Sequence, residues 1–126
     1  MKIELDNSAD TNNKINAYAR DQVTIANKTY SSSLLLSLDT VISDWPPQHF
    51  SELETSHIEQ ILTLSPEIVL LGTGSSLIFP SEQLLQPLTG RFIGIEIMDT
   101  GAACRSYNFL TGEGRHVVAA LLMIKD

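Results

Sequence analysis

Cysteine is almost missing from this chain: Cys104 stands alone among 126 residues. An intramolecular disulfide is therefore excluded, and a reducing compartment is the expectation. Basic residues are also scarce. Eight Lys and Arg face fifteen Asp and Glu, giving a net charge of −7. The eight are scattered, and nucleic acid and anionic membrane surfaces both need clustered positive charge, so neither is an expected partner. Long apolar runs are absent too. Runs such as 33–38 and 68–71 fall far short of the about 20 residues that span a bilayer. The opening Met1-Lys2-Ile3-Glu4-Leu5-Asp6 has no apolar signal core and too many acids for a transit peptide, which makes a cytoplasmic location the expectation. His49, His57 and His116 share no ligand spacing, so no structural metal is expected; no cofactor is expected either.

What remains is a chain 43% hydrophobic and 18% charged, the balance of a globular domain able to bury a core without staples. Residues 1–17 are polar and Asn-rich and read as a flexible N-terminal arm, with Ile3 and Leu5 able to form a short edge strand. Residues 18–126 read as a single domain. Val23-Thr24-Ile25 and a turn at Asn27-Lys28 predict a hairpin that extends the main sheet. Leu34 to Leu38 and Val41-Ile42 predict buried strands, stopped by Trp45-Pro46-Pro47, because proline cannot donate a ladder hydrogen bond. Trp45 is expected in the core.

Helical spacing of Leu53, Ile58, Ile61, Leu62 and Leu64 predicts a helix over 51–64, capped by Ser51. A strand follows at 67–71, a helix at 80–88, a strand at 91–98, a helix from Asp99 or Thr100 to about Leu110, and a last strand at 116–124. This alternation predicts an α/β fold. It is a mixed sheet with a parallel βαβαβ core, an N-terminal β-hairpin extension and helices packed on the sheet.

Ligands of such sheets sit beyond the carboxyl ends of the parallel strands. Gly72-Thr73-Gly74-Ser75 and Met98-Asp99-Thr100 leave strands there. The glycines invite an anion, but no Lys follows them and Leu77 stands where a dinucleotide fingerprint needs a third glycine. A turn-making role explains them as well. Ser76, Asp99 and His116 run in hydrolase order, yet Ile78 blocks a nucleophile elbow. Asp99 either caps a helix or touches a ligand. Cys104 lies beside Arg105, which could lower its pKa, but no base is positioned for it. Arg105 needs a carboxylate, from Glu113 or Asp99, or else lines a polar pocket with Arg115 nearby. The Tyr107 ring packs, while Asn108 caps loop carbonyls or contacts a ligand.

Several segments together resemble a known family. They are Pro66-Glu67; Gly72-Thr73-Gly74; Glu96-Ile97-Met98-Asp99-Thr100; Ala103-Cys104-Arg105-Ser106-Tyr107-Asn108-Phe109-Leu110; and Glu113-Gly114-Arg115-His116-Val117-Val118-Ala119-Ala120-Leu121. With Trp45 upstream, this order and spacing is similar to the small α/β domain family that includes the mitochondrial respiratory complex I assembly factor 3. The resemblance covers about Tyr18 to Ile124. It implies a single mixed-sheet domain without an established catalytic mechanism. It also implies a non-enzymatic module that binds proteins, respiratory-complex subunits among them, during assembly. The alternative from the residues themselves is a small-ligand or enzymatic domain using the cleft at the carboxyl ends of the strands. Homodimerisation through an edge strand is compatible with either.

Overall fold

The computed structural model describes residues 1–5 and 12–125. Its two sheets are formed from nine strands and share the molecule with two α-helices. The smaller sheet is an antiparallel meander of β1 (Ile3–Glu4), β2 (Ile15–Ala19), β3 (Gln22–Ile25) and β4 (Lys28–Tyr30). The expected β3–β4 hairpin forms, but its turn is Ala26-Asn27 rather than Asn27-Lys28, because Lys28 already pairs with Ile25. Ala26 and Asn27 both take positive φ, 49° and 67°, the pair of left-handed residues that suits a two-residue hairpin loop.

The larger sheet has the order β6-β5-β9-β7-β8, built from β5 (Leu34–Ser37), β6 (Thr40–Ile42), β7 (Ile68–Gly72), β8 (Gly94–Met98) and β9 (Val117–Leu121). Strands β8 and β9 flank β7 in parallel, whereas β5 runs antiparallel to β9 and β6 antiparallel to β5. Helix α1 (Thr55–Leu62) precedes β7, and α2 (Thr100–Gly112) crosses from β8 to β9.

Period-two alternation sorts the core into two layers. Ile68, Leu70, Val117, Ala119 and Leu121 face α2 and the smaller sheet, together with Ala103, Cys104, Tyr107, Ile15 and Ile25. Val69, Leu71, Val118 and Ala120 face α1, Trp45 and Leu88. Strands apolar on both faces need cover on both faces, and here they have it. Trp45 is fully buried and donates its indole N–H to the His57 carbonyl at 3.2 Å.

Four expectations change. The short edge strand allowed for at the N-terminus forms at Ile3–Glu4, but Ile15–Ala17 of the segment read as an arm are strand residues too, and Ile15 is wholly buried; the part of that reading at 6–11 lies outside the described residues. The hairpin joins a sheet of its own, since α2 packs between it and the larger sheet. Ser51 sits in a short 3-10 turn, Phe50–Glu52. Helix α1 is capped instead by Glu54 in a capping box: its carboxylate accepts from the His57 backbone N–H, and the His57 ring Nδ1 accepts from the Glu54 backbone N–H at 3.0 Å. No α-helix forms over 80–88. The stretch is a series of turns, because Pro87 lacks the N–H that a helix would need there. The first parallel crossover is thus a loop, and only the second carries a helix.

Candidate functional site

The glycine loop and the start of α2 are bound to each other. Thr100 N–H donates to the Gly74 carbonyl at 2.9 Å. The Thr100 hydroxyl accepts from Gly74 N–H at 2.8 Å and donates to the Leu122 carbonyl at 2.6 Å. Gly72 permits this approach: a Cβ there would lie 3.0 Å from Thr100 Oγ1 and 3.1 Å from Leu121 Cδ2. Gly74 has φ +100°, which L side chains avoid. The Thr73 hydroxyl donates to Ser76 O at 2.6 Å and accepts from Ile78 N–H at 3.2 Å. Met98 O accepts from Thr73 N–H at 2.9 Å, and Ser75 Oγ accepts from Lys125 N–H at 3.1 Å. Asp99 is the N-cap of α2, its carboxylate accepting from Ala102 N–H at 2.9 Å. The gap expected between loop and helix is filled by these bonds.

The inner side of α2 is equally committed. Asn108 uses its amide as a strand would use a peptide group. Its Oδ1 accepts from Ile15 N–H at 2.9 Å and its Nδ2 donates to Ile15 O at 2.7 Å. Tyr107 is fully buried and donates its hydroxyl to Asn13 O at 2.7 Å; burial pushes its pKa above the ordinary value. Lys14 Nζ reaches the last turn of α2, at 3.0 Å from Thr111 Oγ1 and 3.3 Å from Asn108 O, where a cation suits the helix dipole. Burial also raises the Cys104 thiol to about 12, against a small lowering by Arg105, so it is not a nucleophile at neutral pH.

Arg105 does not pair with Glu113 or Asp99. Glu113 lies eight residues on, about 12 Å along the helix, as the exposed C-cap. Arg105 instead donates from Nη1 to the Tyr18 hydroxyl. The Tyr18 ring can lie there because Gly101 leaves room, a Cβ at that position meeting the ring at 3.0 Å. Arg115 pairs with Glu67 at 2.8 Å, and Glu67 also accepts from His116 N–H. The His116 amide and then Arg115 hold the Glu67 carboxyl below the usual range.

With these residues spent inside or along the frame, two openings remain of interest. One is a hollow of about 180 Å³ at the carboxyl ends of β7 and β9, below the roughly 300–1,000 Å³ of ligand pockets. Gln48, His49 and Phe50 line it with Thr73, Gly74 and Ser75, and Asp99 does not. The other is a groove of about 430 Å³ between α2 and β8, lined by Leu70, Glu96, Met98, Arg105, Phe109 and Leu110. It exists because α2 packs on β7 and β9 and barely reaches β8. Phe109 stands 66% exposed beside it. Of the expected site residues, Met98 and Arg105 meet here, while Gly72, Thr73, Gly74, Ser75, Thr100, Tyr107, Asn108, Glu113 and Arg115 do not line it. Glu96, Phe109 and Leu110 were not expected in a site. Their signal was an acid between two isoleucines, and a large ring four residues after Arg105, hence on the same helix face.

Relatives agree with this architecture. A crystal structure of a Bordetella parapertussis protein superposes with a TM-score of 0.84 at 34% identity, covering 92% of this chain and 99% of that one. A mouse protein named NADH dehydrogenase [ubiquinone] 1 alpha subcomplex assembly factor 3 is 32% identical over 86% of this chain. The chain spans 59% of that relative's length. A Francisella tularensis protein named 13 kDa major membrane protein is 28% identical over 74% of this chain and 76% of its own. Among the described residues, no helix here is long and apolar enough to cross a membrane. The family model described as protein of unknown function (DUF498/DUF598) matches residues 15–122, and the chain belongs to that family, whose fold and likeness to assembly factor 3 it shares.

Proposed function

We propose that this chain is a non-enzymatic protein-docking module that assists the assembly of a larger respiratory or membrane complex, working from the cytoplasmic side through the groove between α2 and β8. The observation that carries the reading is the division of labour along α2. Asp99, Thr100, Tyr107 and Asn108 are bonded inward, while Phe109 and Arg105 stand outside over an uncovered apolar groove. Exposed aromatic and Arg side chains beside a groove are the usual anchors of protein contacts. The mouse relative's name supplies the kind of process. Respiratory-complex subunits are the partners this reading expects.

The test is affinity capture from gently solubilised cells with the wild type, Phe109→Asp and Phe79→Asp, after confirming that all three fold. Phe79 is exposed but does not line the groove. Capture of respiratory-complex subunits by the wild type and Phe79→Asp, and not by Phe109→Asp, is expected. Equal capture by all three contradicts the groove, and capture of no such subunit contradicts the function.

A further inference from the structure

One edge of the larger sheet is β8, and among the described residues its outward backbone groups are unspent. Gly94 N–H donates to Glu67 O at 3.0 Å and Met98 O accepts from Thr73 N–H at 2.9 Å, so Gly94, Glu96 and Met98 turn their polar groups toward β7. The alternate residues Ile95 and Ile97 then turn theirs outward. Among the described residues, nothing pairs with them.

Proteins blunt exposed edges by shortness, Lys, Pro or bulges. The other edges follow that rule: β1 has two residues, β6 three, and β4 three including Lys28. By contrast, β8 runs five residues, Gly-Ile-Glu-Ile-Met, without Pro or Lys. Its one charge, Glu96, is exposed and in no ion pair among the described residues. Like charges opposed across strands repel and opposite charges attract. Glu96 therefore disfavours a second copy paired about it, and favours a strand with a basic residue at that position. The net charge of −7 acts in the same direction.

Resting on the docking reading above, we propose that β8 receives an extended segment of the partner as an added strand of this sheet, with a Lys or Arg opposite Glu96 between two apolar residues. Backbone bonds to Ile95 and Ile97 hold the segment, and the basic side chain reaches Glu96 at the rim of the groove.

The probe is a short synthetic peptide alternating valine and lysine, titrated into the full chain and followed by amide shifts and hydrogen exchange. A glutamate-for-lysine peptide and a proline-interrupted peptide are the comparators. The valine–lysine peptide is expected to slow exchange at Ile95 and Ile97, the glutamate version to bind about fivefold more weakly, and the proline version not to bind. Glu96→Lys is expected to invert the lysine–glutamate preference. Unchanged exchange at Ile95 and Ile97, or equal binding of the three peptides, overturns the proposal. So does a dimer by light scattering in which these amides are already protected, because a second copy then holds the edge. Should the peptides fail while Phe109→Asp still abolishes capture, the groove docks partners without strand addition. Should capture itself fail, the functional reading fails with it.

Discussion

Strands β9 and β8 have the same length and the same parallel partner, β7, yet they differ in almost everything else. Val-Val-Ala-Ala-Leu is buried at every residue; Gly-Ile-Glu-Ile-Met is exposed or half-buried at every residue. The first lies between β5 and β7 and under both core layers. The second has one neighbour and little of α2 above it. The lesson is that position in the sheet decides how much of a strand is spent on the core. Residues near β9 should govern stability, and residues near β8 should govern binding.

The sharpest contrast comes from charge. Val118→Asp in β9 buries an unpaired carboxylate and is expected to cost about 3–5 kcal/mol. Glu96→Thr in β8 should stay within about 0.5 kcal/mol. Urea unfolding of both separates the strands, and similar losses would erase the distinction. Next comes Asn108→Leu, which strands the N–H and C=O of Ile15. At about 1–3 kcal/mol for each orphaned group, its midpoint should fall clearly while partner capture by the folded fraction persists.

Asp99→Ala removes a cap and should cost about 1 kcal/mol. The smallest effect concerns pH. The folded Glu67 carboxyl lies below its ordinary value of 4.5, so its contribution is present above that value and is lost as pH falls through the folded-state value. Glu67→Gln should therefore show a flatter loss of stability than the wild type below about pH 4.5, in acid-limb unfolding curves.

Much of this division was legible in the sequence. The unbroken apolar runs at 68–71 and 117–122 mark central strands, the isoleucines at 93, 95 and 97 mark one face of a strand, and Asp99 marks the start of α2. Residues that meet across the chain were not legible. The Asn108 amide finds Ile15, 93 positions away, and Arg105 finds Tyr18, 87 away; the cost of an unpaired charge had suggested a carboxylate for Arg105 instead. The helix expected at 80–88 had suitable Leu84 and Leu88, but Pro87 outweighed them. In the site, the glycines and Thr100 are explained by close packing at the α2 start. The groove arises from where α2 lies across the sheet, which no local pattern encodes.

The most direct test of the central claim is capture by Phe109→Asp beside the wild type, with both proteins matched in thermal stability. The account predicts that the variant folds normally and loses the respiratory-complex subunits that the wild type retains. A folded variant that captures the same subunits in the same yield would contradict it.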